Sequence, residues 1–226
     1  MKVTAVLPAF NAEKTLRKTY EAIPKNHVHE IILVDDASTD HTVEQAEKIN
    51  DLIVVLHEKN KGYGGNQKTC YREALRRGAD IVIMIHPDFQ YDPQYVPQMI
   101  APVLSGKADM VLGSRFLHND PRASGMVWWR YWGNRFLTTM QNKVLHLHLS
   151  EGHSGYRTYS RRCLTTISWQ GFSNAFVFDA QMIKAVAKKG LPIVEVEVPT
   201  SYTSESSSIS LLSSIRYGLQ TLASLL

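Results

Sequence analysis

Ile31-Ile32-Leu33-Val34-Asp35-Asp36-Ala37-Ser38-Thr39-Asp40-His41-Thr42 joins a β-branched strand to a run of carboxylates and then to a helix start. The polar run from Ala37 to Thr42 supplies an N-cap for a helix over Val43 to Ile49. Similar units lie on either side. Upstream, Val3 to Leu7 is a strand that Pro8 ends, and Glu13 to Ile23 is a helix. Downstream, Leu52 to Leu56, Ile81 to Ile85 and Met110 to Gly113 are strands, with helices over Asn66 to Arg77 and Pro93 to Leu104. Apolar strand runs separated by helices predict an α/β fold with a mostly parallel sheet covered on both faces. In that class ligands sit at the carboxyl ends of the strands.

The second half is less regular. Trp128 to Leu147 reads as one long helix, Gly155 to Ser160 and Ile193 to Val198 as strands, and Ala180 to Lys189 as a helix between them. Ser204 to Ser208 is polar and linker-like, and Ile209 to Leu226 is an amphipathic helix. The economical division is a catalytic domain over 1–205 and a terminal helix over 206–226. Hydrophobic residues make up 44% and charged residues 20% of 226, which excludes a disordered tail, a collagenous rod and a multi-span membrane protein. Two cysteines, Cys70 and Cys163, are too few for a disulfide scaffold, so the chain reads as cytosolic. A net charge of +4 is too mild to argue for nucleic acid, but it suits a phosphate-bearing substrate or an anionic membrane surface. The apolar run Val3 to Leu7 is too short for a signal peptide, and no stretch of 18 apolar residues exists to span a bilayer.

The candidate chemistry lies at the predicted strand ends. Strand one ends in Pro8-Ala9-Phe10-Asn11 without the glycine triplet of a dinucleotide site. Asp35, Asp36 and Asp40 would repel one another unless donors face them, from a base, ribose hydroxyls or a metal; capping is the plainer reading of any one of them. His86-Pro87-Asp88-Phe89-Gln90 leaves the sheet at Pro87 and presents His86 and Asp88 on one side of an extended segment. A carboxylate with a neighbouring imidazole or amide suits a divalent cation, and imidazole favours manganese over magnesium. Gly113-Ser114-Arg115 puts a guanidinium at a strand end, suited to bidentate phosphate contact.

Taken in order, PAFNAEKTL, IILVDDASTDHT, NKGYGGN, the D-x-Q segment and LGSR resemble the family 2 glycosyltransferases of GT-A type. GNRFLTTMQNKVL, SEGHSGYRTYSR and VEVEVPTSY are similar to the polyprenyl-phosphate or dolichyl-phosphate sugar transferase branch, and the likeness covers about residues 1–203. The resemblance implies a Rossmann-like GT-A fold and an inverting transfer from a nucleoside-diphosphate sugar to a polyprenyl phosphate, with Mn2+ or Mg2+ as cofactor. It implies donor binding by Pro8, Ala9, Asn11, Glu13, Asp35 and Asp36, with Asp36 on the base. Asp88 and Gln90, with His86, would hold the metal, and Arg115 would meet phosphate. Arg130 and Asn134, four apart and so on one helical face, would face the acceptor's phosphate. Asp179 would be the acidic residue near the reaction centre, completing a catalytic set with Asp88 and Arg115. Gly155-Tyr156-Arg157 would match a G-F-R-like turn with a structural role.

Two departures from the family pattern stand out. His86 replaces the first acid of the metal segment, and Ala12 stands where a Glu usually follows Asn, with Glu13 one place later. His86 then binds manganese, hydrogen-bonds the diphosphate, or marks weakened catalysis. No basic residue follows Tyr202 closely. His86 and the missing late basic residue motivate a second reading, a nucleotide-sugar-binding or membrane-surface partner protein that has lost turnover. A third, a P-loop phosphotransferase built on Gly62 to Thr69, founders on Gln67, where the loop needs glycine; Lys68 then belongs to an ordinary helix surface. His146 and His148 would face different sides of a helix, and His27 and His29 read as loop residues.

Membrane contact is expected at two places, although burial is the competing reading of each. Met126 to Trp132 sets three tryptophans beside Arg130 on a helix. Leu212, Ile215, Leu219, Leu222 and Leu226 form an apolar stripe whose default use is docking onto the domain. Peripheral attachment to the cytoplasmic face of a membrane and self-association into a homo-oligomer are both compatible with these stripes.

Overall fold

The computed structural model describes residues 1–117, 120–200 and 211–225. Seven strands form one sheet: β1 (Val3–Ala9), β2 (Glu30–Asp35), β3 (Leu52–Leu56), β4 (Ile81–Met84), β5 (Met110–Ser114), β6 (Arg157–Ser160) and β7 (Ile193–Glu197), in the order β3-β2-β1-β4-β6-β5-β7. The first four pair in parallel, as do β5 and β7, while β6 runs antiparallel between β4 and β5. The mostly parallel sheet is therefore present, with one reversed strand.

Alternation along the central strands divides the core in two. Val3, Ala5 and Leu7 of β1 join Leu33, Val96 and Ile100 on one face, whereas Val6 joins Ile32, Tyr71, Trp169 and Phe178 on the other. The helices are α1 (Leu16–Ala22), α2 (Thr42–Glu47), α3 (Tyr63–Arg76), α4 (Val96–Leu104), α5 (Trp128–Leu145), α6 (Arg161–Thr166), α7 (Phe178–Lys188) and α8 (Leu211–Leu225). α1, α2 and α4 supply side chains to the first layer, and α3, α6 and α7 to the second.

Several boundaries differ from the periodicity for identifiable reasons. α1 starts at Leu16 rather than Glu13, because residues 10–13 form a loop stitched to the one after β2. α3 starts at Tyr63 because Gly64 and Gly65 let its first turn press against residues 173–174. A Cβ at position 64 would lie 2.5 Å from the Ser173 carbonyl oxygen and 2.7 Å from Phe178 Cβ. Gly64→Ala is therefore expected to cost at least about 2 kcal/mol, read as a fall in denaturation midpoint at unchanged m-value. Lys68 is not on an open helix surface: it is 8% exposed, and its ammonium bonds to Phe172 O and Asn174 Oδ1. α5 stops at Leu145, with His146 in the left-handed cap (φ 54°), so His146 and His148 do not sit on a helix.

α8 packs against α5 and α7, as a docked helix should, but part of its apolar stripe stays outward. Thr221 and Leu225 are buried, while Ile215 and Leu219 are 54% and 65% exposed. Ser204 to Ser208, Tyr202, the division near residue 205 and the side chains of Leu212 and Leu226 lie outside the described residues.

Candidate active site

The carboxyl ends of β1 and β2 are held by a dense set of hydrogen bonds. Asp36, 3% exposed, accepts from His57 Nδ1 (2.7 Å), Lys61 N (2.8 Å) and Gly62 N (2.9 Å), and His57 Nε2 reaches Thr69 Oγ1 at 2.9 Å. Asp35 accepts from Ser38 N, and Asp40 from Glu13 N and Thr42 N. The donors expected from a ligand or metal are thus supplied by the protein, and the capping reading describes Asp35 and Asp40. Asp36 Oδ2, with one donor, retains acceptor capacity for a base N–H. Asn11 (φ 52°) accepts from Thr39 N, and Glu13 accepts from His41 N, joining the two loops. Asn66 Nδ2 donates to both Ala9 O and Val34 O, tying the strand ends to α3.

Beside this scaffold opens a cavity of about 260 Å³. His86, Asp88, Gln90 and Asp179 stand on its lining together with Arg115, Arg130 and Asn134. The structure thus brings the predicted metal, catalytic and acceptor residues around one space. Asp88 accepts from Gln90 N at 3.0 Å, and the intervening Phe89 has φ 54°. A non-glycine residue held in the left-handed region between two candidate ligands is a form of strain that clusters at functional sites.

Asp179 lies in the first turn of α7, where the helix dipole favours a negative charge. Its carboxylate accepts from Tyr63 OH (2.8 Å) and Gln67 Nε2 (3.2 Å), and the Arg157 guanidinium stands 3.6 Å away. His86 stacks on Tyr63, with its Nε2 3.3 Å from the phenol oxygen. Burial lowers the His86 pKa below the usual range despite the opposing pull of Asp88 and Asp179. Nδ1 is the ring nitrogen without a partner among the described residues. Gly155 makes room for this ring, since a Cβ there would meet His86 Nε2 at 2.8 Å.

Arg115 is oriented by Glu151, which is fully buried. Glu151 accepts from Arg115 N (2.9 Å), from its guanidinium and from Asn134 Nδ2 (2.7 Å). Burial alone would raise the Glu151 pKa, and the Arg115 charge and hydrogen bonds outweigh it to leave the carboxylate below its ordinary value. Glu151 also links two candidate phosphate-facing residues on different elements. It lies in SEGHSGYR, but nothing in its spacing singles it out. Tyr63, Gln67, His153 and Tyr217 were equally unmarked; the last two close the cavity through a 2.6 Å bond from α8 to the β6 approach.

Burial pushes the His153 pKa down to about 4. A histidine whose folded pKa lies below the unfolded value near 6.5 is protonated more readily when unfolded. Its contribution is complete above about pH 6.5 and is lost as pH falls towards about 4. Thermal midpoints should therefore decline across that window, by at most about 1.4 kcal/mol of stability per pH unit, and His153→Gln should flatten the decline.

Among the described residues no group of three His, Cys, Asp or Glu side chains converges to hold a metal. Asp88 and Gln90 nevertheless fit a hard cation that takes its other ligands from a diphosphate and water, the usual mode for magnesium.

Solved structures share this architecture. Glucosyl-3-phosphoglycerate synthase from Mycobacterium tuberculosis, crystallised with Mn2+ and UDP-glucose, superposes with a TM-score of 0.74 at 22% identity, covering 99% of this chain and 77% of that one. The fold is accordingly of the GT-A glycosyltransferase type. The family model for glycosyl transferase family 2 matches residues 4–167, and the chain belongs to that family. It is a glycosyltransferase. Among its relatives, a UDP-N-acetylglucosamine–dolichyl-phosphate N-acetylglucosaminyltransferase of Methanococcus voltae is 28% identical, over 89% of this chain and 86% of its own length. An undecaprenyl-phosphate mannosyltransferase of Micrococcus luteus is 29% identical, over 88% and 83%.

Proposed function

We propose that the protein transfers a sugar, with inversion, from a nucleoside-diphosphate sugar to a polyprenyl (dolichyl-type) phosphate, with Mn2+ or Mg2+ bound at Asp88 and Gln90. The observation that carries this reading is the cavity itself. Its lining sets the carboxylates Asp88 and Asp179 beside the cations Arg115 and Arg130, with Met126, Trp129 and Leu137 as apolar neighbours. A nucleotide sugar needs the first kind of group to anchor its diphosphate through a cation, and a lipid phosphate needs the second and third. The names of the Methanococcus and Micrococcus relatives point the same way.

In this reading Asp36 and the Pro8-Ala9 backbone face the base, with Asp35, Asn11 and Glu13 shaping the loop beside it. The divalent cation, when bound, compensates charge on the leaving diphosphate. Arg115, fixed by Glu151, does the same from the protein side. A lipid monophosphate has a second pKa of about 6, so at neutral pH it is largely a dianion and nucleophilic without a dedicated base. Arg130 and Asn134 orient it for attack opposite the leaving group. Asp179, locked by Tyr63 and Gln67, presents a fixed negative charge where oxocarbenium character develops. His86 remains a neutral ring against Tyr63, and Nδ1 is the nitrogen available to a cation or diphosphate.

No helix among the described residues is long and apolar enough to cross a membrane; peripheral work on the cytoplasmic face, by a domain over 1–205 with an attached helix, follows from this proposal. Arg130→Ala should raise KM for a short polyprenyl phosphate about tenfold while leaving donor KM within about twofold. Equal effects on both substrates, or transfer to the free polyprenol as fast as to its phosphate, would contradict the acceptor assignment.

A further inference from the structure

We propose that His57, through its bond to Asp36, sets the choice of base, so that the donor is a uridine rather than a guanosine diphosphate sugar. The inference rests on the nucleotide-sugar reading, with Asp36 facing the base, and adds which base fits and which residue decides it.

Each oxygen of an ionised carboxylate accepts about two hydrogen bonds. Asp36 Oδ1 already accepts from His57 Nδ1 (2.7 Å) and Lys61 N (2.8 Å). Oδ2 accepts, among the described residues, from Gly62 N alone (2.9 Å). The two backbone donors by themselves would leave each oxygen able to take one more bond. His57 closes Oδ1 and leaves a single acceptor position, on Oδ2. Asp36 and His57 are both buried, so a ligand that docks there must match this count without help from bulk water.

Uracil and guanine present different edges to such a group. Uracil offers one N–H, at N3, between two carbonyl oxygens. Guanine offers adjacent N–H groups at N1 and N2, which pair with both oxygens of an open carboxylate. Against Asp36 as His57 holds it, the uracil N–H is satisfied, while guanine keeps one N–H unpaired in a buried site. Leaving a buried polar group unpaired is what allows a hydrogen-bonding site to reject a close analogue.

His57 is itself fixed from three directions. It follows β3, and its backbone N donates to Asp35 O at 3.0 Å, beside the carboxylate it serves. A carboxylate only accepts, so Nδ1 carries the proton in the bond to Asp36. In the neutral ring Nε2 then accepts from the Thr69 hydroxyl of α3, 2.9 Å away. Ring orientation and tautomer are thus set by α3, and the carboxylate is held with Oδ2 as its open side. His57 is a positioning residue that acts on the nucleotide through Asp36.

The test is calorimetric titration of UDP and of GDP, with Mn2+ present, into wild type and the variants His57→Asn and His57→Gln. Asparagine places its amide N–H near the position of Nδ1 and still serves Asp36. Glutamine places its amide near the position of Nε2 and serves Thr69 instead. Wild type is expected to bind UDP at least about tenfold more tightly than GDP. His57→Asn should keep most of that preference, and His57→Gln should shrink it to within about threefold. A general structural role for His57 would move both variants alike. The wild-type ratio decides the base whether or not the variants fold: equal or tighter binding of GDP overturns the inference and leaves the transferase reading standing. A preference that survives in His57→Gln, or that is lost equally in both variants, also overturns it, because His57 would not be the residue that decides. Binding of neither nucleotide by wild type overturns the nucleotide-sugar reading and this inference with it.

Discussion

Asp88→Ala is expected to reduce sugar transfer about a thousandfold, a loss of ~4 kcal/mol of transition-state stabilisation. Asp88 is the one carboxylate of the His86–Gln90 turn, and its geometry is already set by the bond from Gln90 N and the left-handed Phe89 between them. Alanine removes the charge that would hold a divalent cation against the leaving diphosphate, and with His86 in place of the usual first acid there is no second carboxylate in the segment to replace it. Nucleotide binding should weaken much less than turnover, because the scaffold around Asp36 does not involve Asp88. Asp88→Asn should recover little, since an amide oxygen carries no net charge. The measurement is kcat and donor KM at saturating Mn2+; a fall of less than tenfold in kcat would remove Asp88 from the centre of the mechanism.

Arg157→Met should have the second largest effect, a destabilisation of about 3–5 kcal/mol by urea denaturation. The guanidinium is fully buried and donates to Ser154 O (2.7 Å), Asp179 O (2.9 Å) and Gly152 O (3.2 Å), with the Asp179 carboxylate 3.6 Å away. Methionine fills similar space but removes the donor from three carbonyls and leaves Asp179, 6% exposed, without its counter-charge. The double change Arg157→Met, Asp179→Asn should therefore cost less than the sum of the two single changes, by about 1–3 kcal/mol. Strict additivity would show that Arg157 supports the fold without sensing Asp179.

The strands were legible because their signal is local. β-branched runs such as Ile31 to Val34 and Ile81 to Ile85 need no distant partner to be recognised, and the sheet carries all of them. The reversed β6 was not legible, since strand direction depends on the path of the chain between elements. The same distinction holds at the site. Asp88, Gln90, Arg115, Arg130 and Asn134 were visible as residues of suitable chemistry at strand ends or on one helical face. Glu151, Tyr63 and Gln67 were not, because their work is to hold those residues across sequence separations that no periodicity reports; Arg157 was marked only through the resemblance, as part of a structural turn. Asp35 and Asp40 show the converse: as acids in a cluster they suggest ligand binding, and the backbone donors that also neutralise them are visible only in the structure. α8 was legible as amphipathic, but which face it buries depends on small residues, Gly218 against Leu137 of α5 and the buried Thr221.

The most direct test of the central claim is donor turnover. The protein would be incubated with UDP- and GDP-sugars, with Mn2+ or Mg2+, with and without a short polyprenyl phosphate, and the released nucleoside diphosphate assayed. Release that requires both the cation and the lipid phosphate, with the sugar recovered on the lipid in inverted configuration, is the predicted result. No release in any combination, despite measurable binding of the nucleotide sugar, would contradict it.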